Sequence, residues 1–273
     1  VSAAPRLLRA GGGPRVVDVG ELWQARDLLA LLVRRDLVVR YRPTLLGPLW
    51  AVLQPMASTL VFSLFLGGVV GVSGDGAPYA AFVVLGLLPW SLFASGVSRA
   101  AASLVTNAPL LAKARFPRVY LPLSAVATAL LDLVFSLPAL AIVLGLSGVG
   151  LAPGLALGIA PLFLAALLAL GLGLLLASLS VRHRDLLQAL PFVLQLGMFA
   201  TPVLYPQALI PQRHRGWLVL NPMAAVVEGL RDAGLGRSLA VAPLLSALAA
   251  GLLLLGAGLL AFRKAERLAV DGL

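Results

Sequence analysis

Few side chains in this 273-residue sequence could carry covalent chemistry, and those few are scattered. There is no cysteine, which removes a thiol nucleophile, a thiolate metal site and a disulfide framework together. The two histidines, His183 and His214, fall in polar segments that a membrane topology puts on opposite sides, so they cannot share a metal ion or a triad. Only two lysines occur, Lys113 and Lys264, and neither follows the glycine-rich loop of a nucleotide-binding P-loop. Asp132 stands alone as the ionisable residue inside a long apolar stretch. A carboxylate at membrane depth is a functional candidate by default, but a proton-driven carrier usually needs more than one such group. A structural role, accepting hydrogen bonds from neighbouring serine and threonine, is the stronger expectation. An intramembrane protease or lipid transferase would need a paired nucleophile and base, or clustered carboxylates, and the inventory supplies neither. No metal site and no cofactor of the chain's own is expected.

The elements that must position these groups follow from composition. Hydrophobic residues make up 60% of the chain and charged ones 12%, with a mean hydropathy of +0.99, the values of an integral membrane protein. A net charge of +10 would suggest nucleic acid in a soluble protein. Here 17 of the 21 basic residues fall in segments assigned to one side of the membrane, so the positive-inside bias accounts for most of the charge. No nucleic-acid partner is expected.

Charge-free intervals count the spans. The segment RRDLVVRYR carries four arginines and an aspartate, after which residues 43–74 carry no charge, more than the ~20 residues a crossing helix needs. Residues 76–98 hold a second span. Residues 119–181, interrupted only by Asp132, hold a third and a fourth joined by the turn SGVGLAPG. Residues 186–205 hold a fifth and residues 238–262 a sixth. Six spans return both termini to the same side, which the charge bias makes the cytoplasm. The expected fold is all-α: a polytopic membrane protein with six transmembrane helices.

Between the spans the segments differ in character. Residues 1–19 read as a loosely held tail without the apolar core of a signal peptide, and residues 263–273 as a cytoplasmic tail. Residues 20–44 read as a helix at the cytoplasmic interface, with Trp23 and Tyr41 as headgroup anchors, the alternative being a soluble helix packed on a partner protein. Residues 45–262 are the transmembrane domain. Within it, residues 99–118 form a basic inner loop containing a short apolar helix bounded by Pro109 and Pro117. A chain without its own energy source needs a surface by which a soluble motor could move it, and this is the longest internal loop on that side; positive-inside charge alone is the alternative reading. On the outer side, residues 206–238 contain a short helix, with Asn221 as N-cap, Pro222 at the first position, and Gly234 or Gly236 as the stop. Glu228 and Arg231 are spaced to meet on one of its faces. A pair of short helices dipping back into the membrane is expected, with an ordinary outer loop as the alternative.

Four stretches carry a resemblance. RDLVVRYRPTLLGPLWAVLQP, GLLPWSLFASGVSRAAASLVTNAPLLAKARFPRVYLPLSAV, VRHRDLLQALPFVLQLGMFATPVLYP and LNPMAAVVEGLRDAGLG occur in this order across nearly the whole chain. Together they resemble the permease subunits of type-2 ABC exporters, and among these the group that moves lipid-linked O-antigen and teichoic-acid polymers. The resemblance implies a functional unit of two copies of this chain and two copies of a separate ATPase, which would bind ATP and Mg. It implies that the N-terminal segment, with Trp23, Arg34, Arg35, Asp36, Arg40 and Tyr41, is the interface helix. It makes the loop at about residues 104–118, with Asn107, Lys113, Arg115, Phe116, Pro117 and Arg118, the coupling helix that docks on the ATPase. Tyr205, Asn221, Pro222, Glu228 and Arg231 would belong to the outward-side gate helices.

The channel would then lie between the two copies. Flat aromatic rings can lie against sugar faces while holding a sliding polymer weakly, and conduction requires weak, repeated sites. Trp50, Phe62, Phe65, Phe82, Trp90, Phe93 and Phe199 are the candidates, each equally able to face lipid or anchor at the interface. The implied function is export of a lipid-linked polysaccharide across the cytoplasmic (inner) membrane, driven by ATP hydrolysis on the partner. A drug, antibiotic or free lipid as cargo is the alternative on the same architecture, and a non-transporting membrane scaffold is a further one.

Overall fold

The computed structural model describes residues 26–113, 116–150 and 153–271. Among these residues the regular elements are all helical. Helix α1 (Arg26–Tyr41) is followed by a 3₁₀ turn, Gly47–Leu49, that leads into α2 (Trp50–Phe62). The same helix continues with π geometry through Ser63–Val69, giving a 23-residue apolar span. Helices α3 (Tyr79–Thr106), α4 (Ala108–Lys113), α5 (Tyr120–Leu146), α6 (Ile159–Ser180) and α7 (Leu186–Ala200) come next. Two short helices, α8 (Gly216–Leu220) and α9 (Pro222–Gly234), precede the long α10 (Val241–Asp271).

Five of these are long and apolar enough to cross a membrane: Gly47–Val69, Tyr79–Thr106, Tyr120–Leu146, Gly154–Ser180 and Val241–Ala265. The expected fifth span in sequence order, α7, is shorter than the sequence suggests. Its 15 residues rise about 22 Å, less than the ~30 Å hydrocarbon core. The cause is local: Thr201 precedes Pro202, and the residue before a proline is driven out of the helical region, here to φ −100° and ψ 137°. The backbone beyond Thr201 leaves the helix and turns back.

Helix α3 is the hub. It packs on α2, α5, α6 and α9, and most of its length is buried, as expected of a helix that is apolar on most sides. Small residues let neighbours approach. Gly173 of α6 lies against Ala100 of α3, where a Cβ would stand 2.5 Å from the alanine methyl. By contrast α2 is the least buried span, with Leu60, Leu64 and Phe65 all exposed.

A second apolar cluster gathers one end of the bundle. Leu32 of α1 is buried with Leu104, Tyr120, Leu121, Leu174, Ala177 and Phe262, and Leu110, Leu111 and Phe116 pack against them. Burying a leucine in this way contributes roughly 1.5–3 kcal/mol. This end therefore holds α1, the α3–α5 connection and the far parts of α6 and α10. The other end holds α9 and the segments that lead to it. The expected loop at residues 99–118 is corrected in part: α3 continues to Thr106, so Arg99 is a helical residue well inside a candidate span.

Candidate functional site

A cleft of about 460 Å³ opens between α2, α3, α5 and α7. Its α3 wall is set by helical spacing, since Ser91, Ser95, Ser98 and Arg99 fall at i, i+4, i+7 and i+8 and share a face. Gln54 and Ser58 line it from α2, one turn apart, Ser136 from α5, and Gln195 from α7. Gln54, Ser91 and Gln195 are exposed, though they sit midway along helices otherwise fit for lipid. Hydroxyls and amides have no partner in hydrocarbon, where an unsatisfied polar group costs several kcal/mol. This face suits water and a polar ligand. The sequence reading missed these residues, although the serine spacing on α3 is a visible signal.

Arginines, not serine or threonine, partner Asp132 at the α1 end of this cleft, which corrects the sequence expectation. The Arg99 guanidinium donates to Oδ2 at 2.5 Å and Arg40 Nη1 lies 3.0 Å from the same oxygen. The Tyr41 hydroxyl donates to Oδ1 at 2.5 Å. Burial, this hydrogen bond and the carboxylate's charge push the Tyr41 phenol up to about 12, so it stays protonated and keeps donating. Three helices, α1, α3 and α5, are thereby tied at one carboxylate. A lone carboxylate at that depth would be costly; the surrounding cations and donor compensate it.

The aromatic candidates separate. Trp90 lines the cleft, with Phe93 packed behind it at 5.5 Å between ring centres. Trp50, Phe65 and Phe199 are exposed on the outside of the chain, and Phe62 is partly buried beside the core. Phe82 is corrected: it is fully buried, with the Arg231 guanidinium 3.5 Å above its ring, and lines no channel.

Interface-helix and coupling-loop residues meet. Arg35 pairs with Asp36 at 2.7 Å and donates to Asn107 Oδ1 at 2.8 Å. Asn107 ends α3 and donates from Nδ2 to the Ser103 carbonyl at 2.8 Å. Beyond it, Lys113 and Pro117 are exposed, Phe116 packs into the apolar cluster, and Arg118 is partly buried. Arg34 is exposed on α1. Trp23 and Arg115 lie outside the described residues.

At the opposite end Arg231 of α9 is fully buried. It donates to the carbonyls of Phe82 at 3.2 Å, Pro202 at 2.6 Å and Val203 at 2.5 Å, and lies 3.3 Å from Glu228 Oε2. Tyr79 donates to the Leu204 carbonyl at 2.7 Å. The non-helical backbone after α7 has no ladder of its own, and Arg231 and Tyr79 supply the missing donors. Such backbone is tolerated at membrane depth only when buried and satisfied in this way. Gly86 makes room, since a Cβ there would stand 2.6 Å from both Arg231 Nη2 and the Val203 carbonyl oxygen. Asn221 caps α9, accepting from Met223 N at 3.1 Å and donating to Thr201 Oγ1 at 2.9 Å. The Tyr205 hydroxyl donates to the Phe199 carbonyl at 2.7 Å.

Comparison with known proteins supplies the context. The family described as ABC-2 type transporter matches residues 27–235. The chain is 38% identical over 213 residues to the "O-antigen export system permease protein RfbA" of Myxococcus xanthus, covering 77% of this chain and 80% of that one. It is 28% identical over 207 residues to a protein of the same description from Klebsiella pneumoniae, covering 76% and 79%. The "Polysialic acid transport protein KpsM" of Escherichia coli is 26% identical over 207 residues, covering 74% and 79%.

Proposed function

The chain belongs to the ABC-2 type transporter family, and on that premise we propose that it is the permease subunit of an ATP-driven exporter of a lipid-linked polysaccharide. The relatives' descriptions as O-antigen and polysialic acid proteins support a polysaccharide cargo. The observation that carries the reading is the cleft: hydroxyls and amides on successive turns, with Trp90 among them, in helices that are otherwise apolar. Ser91, Ser95 and Ser98 offer a sliding glycan many weak, equivalent partners.

The remaining parts of the machine follow from this. Two copies of the chain would face each other across their clefts, each bound to one copy of a separate ATPase that holds ATP and Mg. The α1 and α4 end would be cytoplasmic, together with both termini, in the inner membrane, since the basic residues gather there. The Arg35–Asn107 hydrogen bond supports a joint movement of α1 and α4, so that a push from the ATPase on α4 would reach α1 as well. The Arg40–Arg99–Asp132 cluster would carry that movement to the cleft. Residues 201–238 would gate the outer end, and Trp50, Phe65 and Phe199 would face the second copy or lipid.

Depletion of the protein in its host, followed by localisation of lipid-linked glycan, tests the proposal. Long polymer retained on the cytoplasmic leaflet, with loss of surface glycan, is the expected result. Unchanged surface glycan overturns the polysaccharide reading.

A further inference from the structure

The outer half of α2 carries an irregularity that crossing a membrane does not require. Between Ser63 and Val69 the helix widens to π geometry, and Val70 N donates to the Phe65 carbonyl, five residues back, at 2.9 Å. Such turns are rare and gather at functional sites. Two hydroxyls stand where it begins, Thr59 Oγ1 and Ser63 Oγ, both buried and without a hydrogen-bond partner among the described residues. Thr59 is only 3% exposed. Serine and threonine inside a helix can return their hydroxyls to the carbonyl four residues back. Those acceptors would be Thr59 for Ser63 and Pro55 for Thr59, and the present packing holds both hydroxyls off them. An orphaned hydroxyl at membrane depth is costly, so the π state is strained at its start. At its other end the turn touches the backbone that follows α7. Gly67 lies against Tyr79, the first residue of α3, where a Cβ would stand 2.8 Å from Cδ1. That tyrosine donates to the Leu204 carbonyl at 2.7 Å and stacks on Phe82, whose ring lies under Arg231.

We propose that Ser63–Val69 is a two-state turn, and that its change from π to α geometry releases the outer end of the cleft. The change takes one residue out of the widened turn, which rotates the chain beyond it by about 100°. Gly67 then leaves Tyr79, and the Leu204 backbone loses the ring that positions its donor. As the packing relaxes, Ser63 and Thr59 gain their carbonyl acceptors. The two states are thus balanced by opposed contacts: Gly67 on Tyr79 favours π, and the two hydroxyls favour α. Because α2 is the least buried span, with Leu64, Phe65 and Val69 exposed, its outer half can turn without breaking a packed face. The purpose of the switch rests on the proposed export function, whereas its geometry does not.

The chain has no cysteine, so a single nitroxide attached at Leu66→Cys reports the turn. Leu66 packs against the core in the π state. In the permease–ATPase complex in nanodiscs the label should be immobile, and it should gain a mobile fraction when the ATPase is trapped with ATP and vanadate. Thr59→Val and Ser63→Ala each delete an orphaned hydroxyl with little change of shape. Each should raise the melting temperature by about 3 °C and cut the ratio of mobile to immobile label about fivefold, with surface glycan falling in step. Gly67→Ala acts from the other end with the opposite sign: its methyl crowds Tyr79 and alanine favours the α-helix, so the mobile fraction rises before any nucleotide is added. A lower melting temperature in Thr59→Val and Ser63→Ala would mean that buried water satisfies both hydroxyls in the π state, and it overturns the proposal. So does a label that ignores nucleotide trapping, or that moves in the same direction in Thr59→Val and Gly67→Ala. A label that switches as expected in a protein whose depletion spares surface glycan keeps the two-state turn and removes the polysaccharide cargo.

Discussion

Replacing Arg231 by methionine removes the donors for the Pro202 and Val203 carbonyls and takes from Glu228 its cation, leaving it the contact from Gln207 Nε2 at 3.5 Å. Methionine fills much of the volume, so the loss is chiefly one of polar satisfaction. The Phe82 carbonyl lies within α3 and has helical partners to fall back on, whereas residues 202 and 203 are outside any helix. Two carbonyls deprived of a charged donor, at about 1.5–3 kcal/mol each, set the scale. Glu228 is a quarter exposed and keeps Gln207, so losing its cation adds little to this sum. At about 2–4 °C per kcal/mol the melting temperature falls by roughly 10 °C. Lysine retains the charge but has a single nitrogen to share among three carbonyls, and it recovers about half of the loss. Thermal unfolding of the purified chain in detergent, followed by tryptophan fluorescence, gives the magnitude. Limited proteolysis at residues 201–206 gives the location, and cleavage there should appear before cleavage elsewhere. If the methionine variant melts within a degree of the parent, or is cut no faster at that segment, Arg231 does not hold the backbone as argued.

Other changes probe the same contacts from different sides. Gly86→Ala forces a methyl against Arg231 and Val203, and should lower stability by about 1–3 kcal/mol in the same melting assay. Tyr41→Phe removes one donor to Asp132 and should cost about 1 kcal/mol. With the folded pKa raised to about 12, the phenol's contribution is complete below its ordinary value near 10 and is lost only as pH rises through 12, so the cost should be constant from about pH 6 to 9. A cost that grew or vanished across that range would show the phenol titrating. Charge reversal at Lys113 and Arg115 should uncouple ATP hydrolysis from export while the spans stay folded, and wild-type export in that double variant would refute it. Asn107→Ala severs α1 from the end of α3 and should lower export per ATP hydrolysed without a large change in melting temperature.

The parts of the fold legible in the sequence were those written as an absence of charge. Residues 43–74 announce a span whatever they pack against, and the Asn221-Pro222 pair marks the start of α9 through local backbone chemistry. Rules of this kind failed where a charge was compensated at a distance. Arg99 read as loop because it is basic, yet it is held in α3 by a carboxylate 33 positions along the chain. The partners of Asp132 come from α1 and α3, and no local spacing connects them. The shortness of α7 was available in the Thr201-Pro202 dipeptide, but an apolar run outweighs one proline in a count of hydropathy. Phe82 shows the same limit, since composition cannot distinguish an aromatic ring that faces a channel from one lying under a buried guanidinium.

The dependence of the backbone after α7 on Arg231 also orders events in time. The chain is made from its N-terminus, so the Pro202 carbonyl emerges 29 residues before the guanidinium that will satisfy it. Until then α7 is too short to bridge the bilayer alone, and its trailing backbone has open acceptors. Release of this segment into lipid must therefore wait for α9. The two would leave the insertion machinery as one unit, and a nascent chain halted before Arg231 should keep α7 at the membrane surface.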